Sequence, residues 1–348
     1  MTDLSTLTLG STTDPYNKAA ERGWDITDAS QLTSSLELEA DVVIVGTGAG
    51  GGTAAETLSN AGLSVILLEA GPLKTSSQFD MQERSAYRDL YQEGTGRGTK
   101  DGGMVILQGR SVGGSTTVNW TTSFRTPPET LKFWAEHMGV SGCSVEEMAP
   151  YYEHMEKRLN IHEWPQAPNN NNAMLQRASE KLGYSWATIR RNVRGCLNLG
   201  YCGLGCPVDA KQSMLVTTIP GALDNKAKLI HRARVVRILR EGDVVKGVEA
   251  EALTPDVRGI TGQKITVRAT RTILAGPQPS CCGPTPPIRM SASESEHSCI
   301  RPRWRWASTK SRSTPSTVRR SRSTPITSSG RMFTRVPSGS SWRCRRYR

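Results

Sequence analysis

The chain has 348 residues, 36 % apolar and 22 % charged, the make-up of a soluble globular protein with room for one large domain or two ordinary ones. Collagen, coiled coil and a small disulfide scaffold are excluded, and no run approaches the roughly 20 apolar residues of a membrane-spanning helix. The net charge of +12 sits at one end: residues 276–348 hold 15 Lys+Arg against 2 Asp+Glu, a net of +13, which leaves −1 for the first 275.

Residues 1–40 carry no recognisable pattern and read as an N-terminal extension. They lack the basic-then-apolar order of a signal peptide, so a cytoplasmic address is expected. Structure becomes legible at residues 41–45, Asp-Val-Val-Ile-Val, a continuous apolar run of the kind a buried parallel strand shows. Gly46, Gly48 and Gly51 then fit G-x-G-x-x-G ahead of a helix-forming stretch. The first glycine permits the tight turn, the second lets backbone approach a pyrophosphate, and the third allows close helix packing. The helix start directs free N–H groups at the phosphates. Such glycines also occur in unrelated α/β proteins, but here a second apolar strand, residues 64–68, follows on schedule and ends in Glu69. A carboxylate there accepts ribose hydroxyls and disfavours a phosphorylated ribose, which points to FAD or NAD rather than NADP.

Residues 109–120 read Gly-Arg-Ser-Val-Gly-Gly-Ser-Thr-Thr-Val-Asn-Trp, with Gly113 and Gly114 able to bring backbone against a cofactor. With this string the sequence resembles the glucose-methanol-choline (GMC) flavoprotein oxidoreductases, whose first signature has the same form. The likeness continues through Phe133-Trp134-Ala135 and through Ser144 to Tyr152, where Ser144 and Glu147 also make a capping box for a helix start. Residues 233–238 resemble the family strand beside the adenine, with Val235 at the position that contacts it through backbone. In all, the resemblance covers residues 40 to 275. It implies an α/β, Rossmann-like FAD-binding domain with a parallel sheet, and oxidation of the CH–OH group of an alcohol or sugar by hydride transfer to flavin. It also implies that Gly46, Gly48, Gly51 and Glu69 hold the ADP portion. Arg110, Gly113, Gly114, Ser115 and Asn119 would lie along the pyrophosphate, ribityl chain and flavin. An NAD-dependent dehydrogenase conflicts with the second glycine signature.

Cys196, Cys202 and Cys206 are spaced C-x5-C-x3-C in a glycine-rich loop, with Pro207 after the last. In a cytoplasmic chain such a cluster suits a metal or redox site better than a disulfide framework. Three thiolates could ligate an iron-sulfur cluster, as some sugar dehydrogenases of the resembled family use. The same segment also resembles the long-chain alcohol oxidase branch, which leaves free structural thiols or a redox pair open. Cys143 has no partner at metal spacing and reads as a buried small hydrophobe.

Family members take the alcohol proton on a C-terminal histidine, and no histidine here matches that motif. His137, His154 and His162 fall in the expected helical stretch after the signature, His231 precedes the adenine strand, and His297 lies in the basic tail. Residues 272–276 resemble the strand that returns to the cofactor, but Pro277 follows where a turn and a Leu-rich helix are expected. After Leu274 there is no leucine, and Arg, Ser, Thr and Pro dominate. The expectation is therefore an incomplete FAD-binding domain over residues 41–275 and a disordered tail over 276–348. That tail reads either as an out-of-frame product or as an Arg-rich arm that binds nucleic acid, which would make the protein a nucleotide-fold binding module. On the first reading the chain binds FAD weakly or not at all, holds no catalytic base and turns over no alcohol. An electron-acceptor protein is a further expected partner of the intact parent.

Overall fold

A computed structural model describes residues 14–99 and 101–276, together with the backbone of two short strands near the C-terminus. The elements run β1 (Asp25–Asp28), β2 (Leu36–Val45), α1 (Ala49–Asn60), β3 (Val65–Glu69), α2 (Glu83–Leu90), α3 (Pro128–Met138), α4 (Val145–Arg158), β4 (Ile161–Glu163), α5 (Asn170–Lys181), β5 (Arg190–Asn192), α6 (Thr218–Asp224), β6 (Lys228–His231), β7 (Ala233–Glu241), β8 (Val244–Leu253) and β9 (Ile260–Leu274), then β10 (Met332–Arg335) and β11 (Trp342–Arg345). The chain divides into two units. The larger takes residues 1–125, 150–173 and 187–285, and the smaller takes 126–149, 174–186 and 286–348.

The larger unit is built on one seven-stranded sheet of order β1-β6-β3-β2-β9-β8-β7. The first five strands in that order run parallel, β9 beside β2 included, whereas the last two pairings, β9 with β8 and β8 with β7, are antiparallel. The sheet is thus mostly rather than wholly parallel. The reason is loop length: β7, β8 and β9 are joined by short turns, which connect only antiparallel strands, while each parallel pair is reached by a longer crossover.

Both faces of the parallel part are covered, which is why the end of β2, residues 42–45, and β3 up to Leu68 read as apolar runs, whereas the first half of β2 alternates with Glu37, Glu39 and Asp41. Val42, Ile44, Val65 and Leu67 face one way, into a core completed by Ile219, Leu223 and Leu229. Val43, Ile66 and Leu68 face the other way, against Val235, Val248, Ala250, Ile265 and Val267 of the antiparallel strands. One fully buried Leu or Ile contributes about 1.5–3 kcal/mol in such a setting.

Residues before position 41 are also woven into this unit. Strand β1 pairs with β6, and Tyr16 Oη donates to the Leu215 carbonyl at 2.9 Å. Trp24 Nε1 donates to Asp224 at 2.8 Å, and the Tyr16 and Trp24 rings meet edge to face. Farther along, Glu156 of α4 is held by Arg125 at 2.8 Å and Arg190 at 2.5 Å, both in the larger unit.

Within the smaller unit, the capping box forms as the sequence suggests. The Glu147 N–H donates to Ser144 Oγ at 3.1 Å, and the Ser144 N–H donates to Glu147 Oε2 at 2.9 Å. Cys143 is buried, with its thiol near the Leu131 and Val140 carbonyls. His162 lies on β4 and not in a helix, because the pairing of β4 with β5 follows the end of α4 directly. The expected tail disorder and the nucleic-acid reading of the tail fall on residues outside those described, apart from the antiparallel backbone pair β10–β11.

Candidate nucleotide and flavin site

The site is built where β2 hands over to α1. Gly46 adopts φ +95°, a left-handed conformation that favours glycine, and its N–H donates to the Leu68 carbonyl at 2.8 Å. A Cβ on Gly51 would stand 1.9 Å from the Gly46 carbonyl oxygen, so the close packing of helix on turn demands glycine there. Gly48 differs. Its φ is −68°, and a Cβ would find no neighbour nearer than Gly114 Cα at 3.9 Å. The protein's own packing does not require a glycine at 48, and the space beside it is free for a ligand's approach. Gly48 is also the N-cap of α1 and supplies no side-chain cap, so the first-turn N–H groups have no side chain folded over them.

Glu69, at the end of β3, is buried and reaches back to this turn. Its Oε2 accepts from the Thr47 N–H at 3.0 Å and from Thr47 Oγ1 at 2.6 Å, and its Oε1 accepts from the Gly71 N–H at 2.8 Å. Thr47 Oγ1 in turn accepts from the Gly113 N–H at 3.1 Å. One buried relay, Gly113 to Thr47 to Glu69, therefore joins the two glycine signatures to the acid. Burial raises the Glu69 pKa, and the hydrogen bonds from Thr47 and Gly71 partly oppose that rise. A carboxylate offers about four acceptor positions, so three donors leave Oε1 one to spare.

The second glycine string lies against the first. Gly113 and Gly114 have φ +89° and +55°, and a Cβ on Gly114 would come within 2.7 Å of Gly48 Cα. Arg110 is half-buried, and its Nε has no hydrogen-bond partner. Burial lowers its pKa while the nearby Glu69 carboxylate raises it, and the Arg234 and Arg258 cations lower it further. The adjacent Ser111 Oγ is likewise buried without a partner. Ser115 Oγ accepts from the Gly109 N–H at 3.0 Å, and Asn119 Oδ1 accepts from the Thr121 N–H at 3.2 Å, so both fix their own loop. Val235 is buried on β7, next to a break in its register with β8. This strand leaves from Arg232, whose N–H donates to the Gly71 carbonyl at 3.0 Å.

Two residues important to this geometry have no signal in the sequence reading. Thr47 occupies a variable position of the glycine motif. Lys211 is buried, and its Nζ donates to the carbonyls of Thr117 at 2.7 Å, Asn119 at 2.8 Å and Cys202 at 2.6 Å. It fastens the signature loop to the cysteine loop. Burial pulls its pKa down to about 8, against the nearby Cys202 and Cys206 thiols.

The iron-sulfur expectation for Cys196, Cys202 and Cys206 is not supported. Among the described residues no group of three or more His, Cys, Asp and Glu side chains could hold a metal ion. The Cys196 thiol instead accepts from the Asn198 N–H at 3.4 Å and the Cys202 thiol from Arg191 Nη2 at 3.6 Å, and the Arg191 and Lys211 cations oppose a further cation. The described histidines bring no base to the turn motif: His137, His154 and His162 are exposed, and His231 is buried in the sheet, its Nδ1 without a hydrogen bond and 3.9 Å from Asp28 Oδ1. No helix among the described residues is long and apolar enough to cross a membrane.

An uncapped helix start, free space at Gly48 and an orphaned guanidinium nitrogen beside a buried acid all suit the diphosphate and ribose of a flavin dinucleotide. The arrangement defines a dinucleotide-binding α/β protein of the flavoprotein kind. Comparison with known proteins agrees. A GMC oxidoreductase family model matches residues 87–278 and an FAD-binding domain model matches residues 41–80. A long-chain-alcohol oxidase of Arabidopsis thaliana is 29 % identical over 73 % of this chain and 34 % of its own. A GMC-type oxidoreductase of Mycobacterium tuberculosis is 31 % identical over 74 % of this chain and 42 % of its own. The structure of formate oxidase from Aspergillus oryzae aligns at TM-score 0.48 and 19 % identity, over 70 % of this chain and 46 % of that one. The chain belongs to the GMC oxidoreductase family, and it spans less than half the length of these relatives.

Proposed function

We propose that the described residues form the FAD-holding part of an oxidoreductase acting on the CH–OH group of an alcohol, and that they bind FAD weakly without turning over alcohol. The observation that carries the reading is the relay from Gly113 through Thr47 to Glu69, which locks both glycine signatures around one space. The N–H groups at the start of α1 and the Arg110 guanidinium would meet the diphosphate, and the spare acceptor position of Glu69 would meet a ribose hydroxyl. Val235 would offer backbone to the adenine, while Gly113 and Gly114 give backbone access along the rest of the cofactor. Bound FAD supplies the acceptor for the hydride that leaves the carbinol carbon. Oxidation also needs a group to take the hydroxyl proton, and the described histidines stand exposed on helices or on β4, or buried in the sheet, and not on either glycine signature.

An alcohol as substrate class is supported by the long-chain-alcohol oxidases among the relatives. The test is anaerobic absorbance spectroscopy of the FAD-saturated chain before and after adding an aliphatic alcohol. A perturbed flavin spectrum that does not bleach is expected. Bleaching would overturn the claim of no turnover, and an unperturbed spectrum would overturn the claim of binding.

A further inference from the structure

Cys196, Cys202 and Cys206 all line one cavity of about 120 Å³, walled also by Trp120, Arg191 and Pro207. All three thiols are partly exposed and free. They are not equivalent. Cys202 Sγ accepts from the Arg191 guanidinium at 3.6 Å, and the buried Lys211 ammonium is bound to the Cys202 carbonyl at 2.6 Å. Arg191 is itself held in place, by its Nε donating to Thr121 Oγ1 at 2.7 Å and by stacking over the Trp164 ring at 4.3 Å. The Cys202 sulfur thus stands against one fixed guanidinium, with the Lys211 ammonium on the carbonyl of the same residue, and cations beside a thiol are the setting of reactive cysteines. Both Cys202 and Cys206 lie close enough to Lys211 for their charge to act on it, whereas Cys196 is turned to a backbone N–H.

We propose that Cys202 is a peroxide-reactive thiol and that Cys206 is its resolving partner. The Cys202 thiolate attacks one oxygen of hydrogen peroxide. An S–O bond forms as the O–O bond breaks, the sulfur is oxidised to sulfenic acid, and hydroxide leaves with the bonding pair. The Cys206 thiol then attacks that sulfur, forming the S–S bond and releasing water. The oxidant is a hydroperoxide from outside the chain. Because Lys211 also holds Thr117 and Asn119, a change in the cysteine loop would be felt directly by the signature loop.

The test uses the full chain, treated with stoichiometric hydrogen peroxide, alkylated and digested with trypsin. Cleavage after Arg194 and Lys211 places all three thiols on one peptide, residues 195–211. In the wild type this peptide is expected to become lighter by two hydrogens and to keep one alkylatable thiol, Cys196. In Cys206→Ser the expected product is a dimedone adduct on Cys202, and Arg191→Met is expected to slow oxidation of the wild-type pair by about tenfold. A peptide that stays fully alkylatable, an adduct spread evenly over Cys196 and Cys202, or an Arg191→Met rate equal to wild type would overturn the proposal.

Discussion

Thr47 joins three parts of the site through one hydroxyl, donating to Glu69 and accepting from Gly113. Replacing it with valine keeps the shape and leaves a buried N–H and a buried carboxylate each short of a partner. Thr47→Val is expected to cost about 1–3 kcal/mol in urea unfolding and to weaken FAD binding together with it. Lys211→Met should cost more, about 3 kcal/mol or above, because one buried and two part-buried carbonyls lose their donor at once. An unchanged urea midpoint would show that water takes over those carbonyls. Neither residue was legible beforehand, for a physical reason. A threonine at a variable motif position and a single lysine look like surface residues until the loops that close over them are known. Glu69 was legible because the lengths of α1 and β3 set its distance from the turn, and the structure does bring it there.

The strand–turn–helix of β2 and α1 separates two demands on glycine that the motif writes alike. Gly51→Ala drives a Cβ into the Gly46 carbonyl at 1.9 Å and is expected to destabilise by roughly 3 kcal/mol or more, seen as a fall in the thermal midpoint. Gly48→Ala meets nothing closer than 3.9 Å, so it should melt with the wild type and lose only nucleotide affinity. Equal loss of stability in both variants would contradict this division. At this scale β2, β3, β7 and the end of β9 could be read from apolar runs and family likeness. The edge strand β1, Asp-Ile-Thr-Asp, could not, because it is short, polar at three of its four positions and paired on one side only with β6. The antiparallel turn of the sheet was also hidden, since strand direction follows from connection length and not from composition. The cysteine spacing left a metal site and free thiols both open, because spacing says nothing of the Arg191 and Lys211 cations that the fold sets beside the loop.

For the folded chain as a whole, His231 and Glu156 are two described groups whose titration weakens the fold in acid. His231, buried in the sheet with Asp28 and Arg232 near it, has its pKa pushed down to about 4 by burial, so the folded state resists the proton that the unfolded chain takes up near 6.5. Its contribution is present above pH 6.5 and is lost as the pH falls toward 4. Glu156, held down to about 2 by Arg125 and Arg190, contributes above pH 4.5 and loses that contribution between 4.5 and 2. The thermal midpoint should therefore fall in two stages on acidification, and His231→Leu should abolish the upper one. A midpoint that is flat from pH 6.5 to 4.5 in the wild type would contradict this assignment. The central claim is that Gly46 to Gly51, Glu69 and the Gly113 loop enclose the adenosine diphosphate end of FAD, and an equilibrium titration followed by flavin fluorescence, with ADP as competitor, tests it most directly. The account predicts saturable binding with a Kd on the order of micromolar, displaced by ADP and abolished by Gly48→Ala at an unchanged thermal midpoint. Fluorescence that never saturates, or a Gly48→Ala protein that binds as the wild type does, would contradict it.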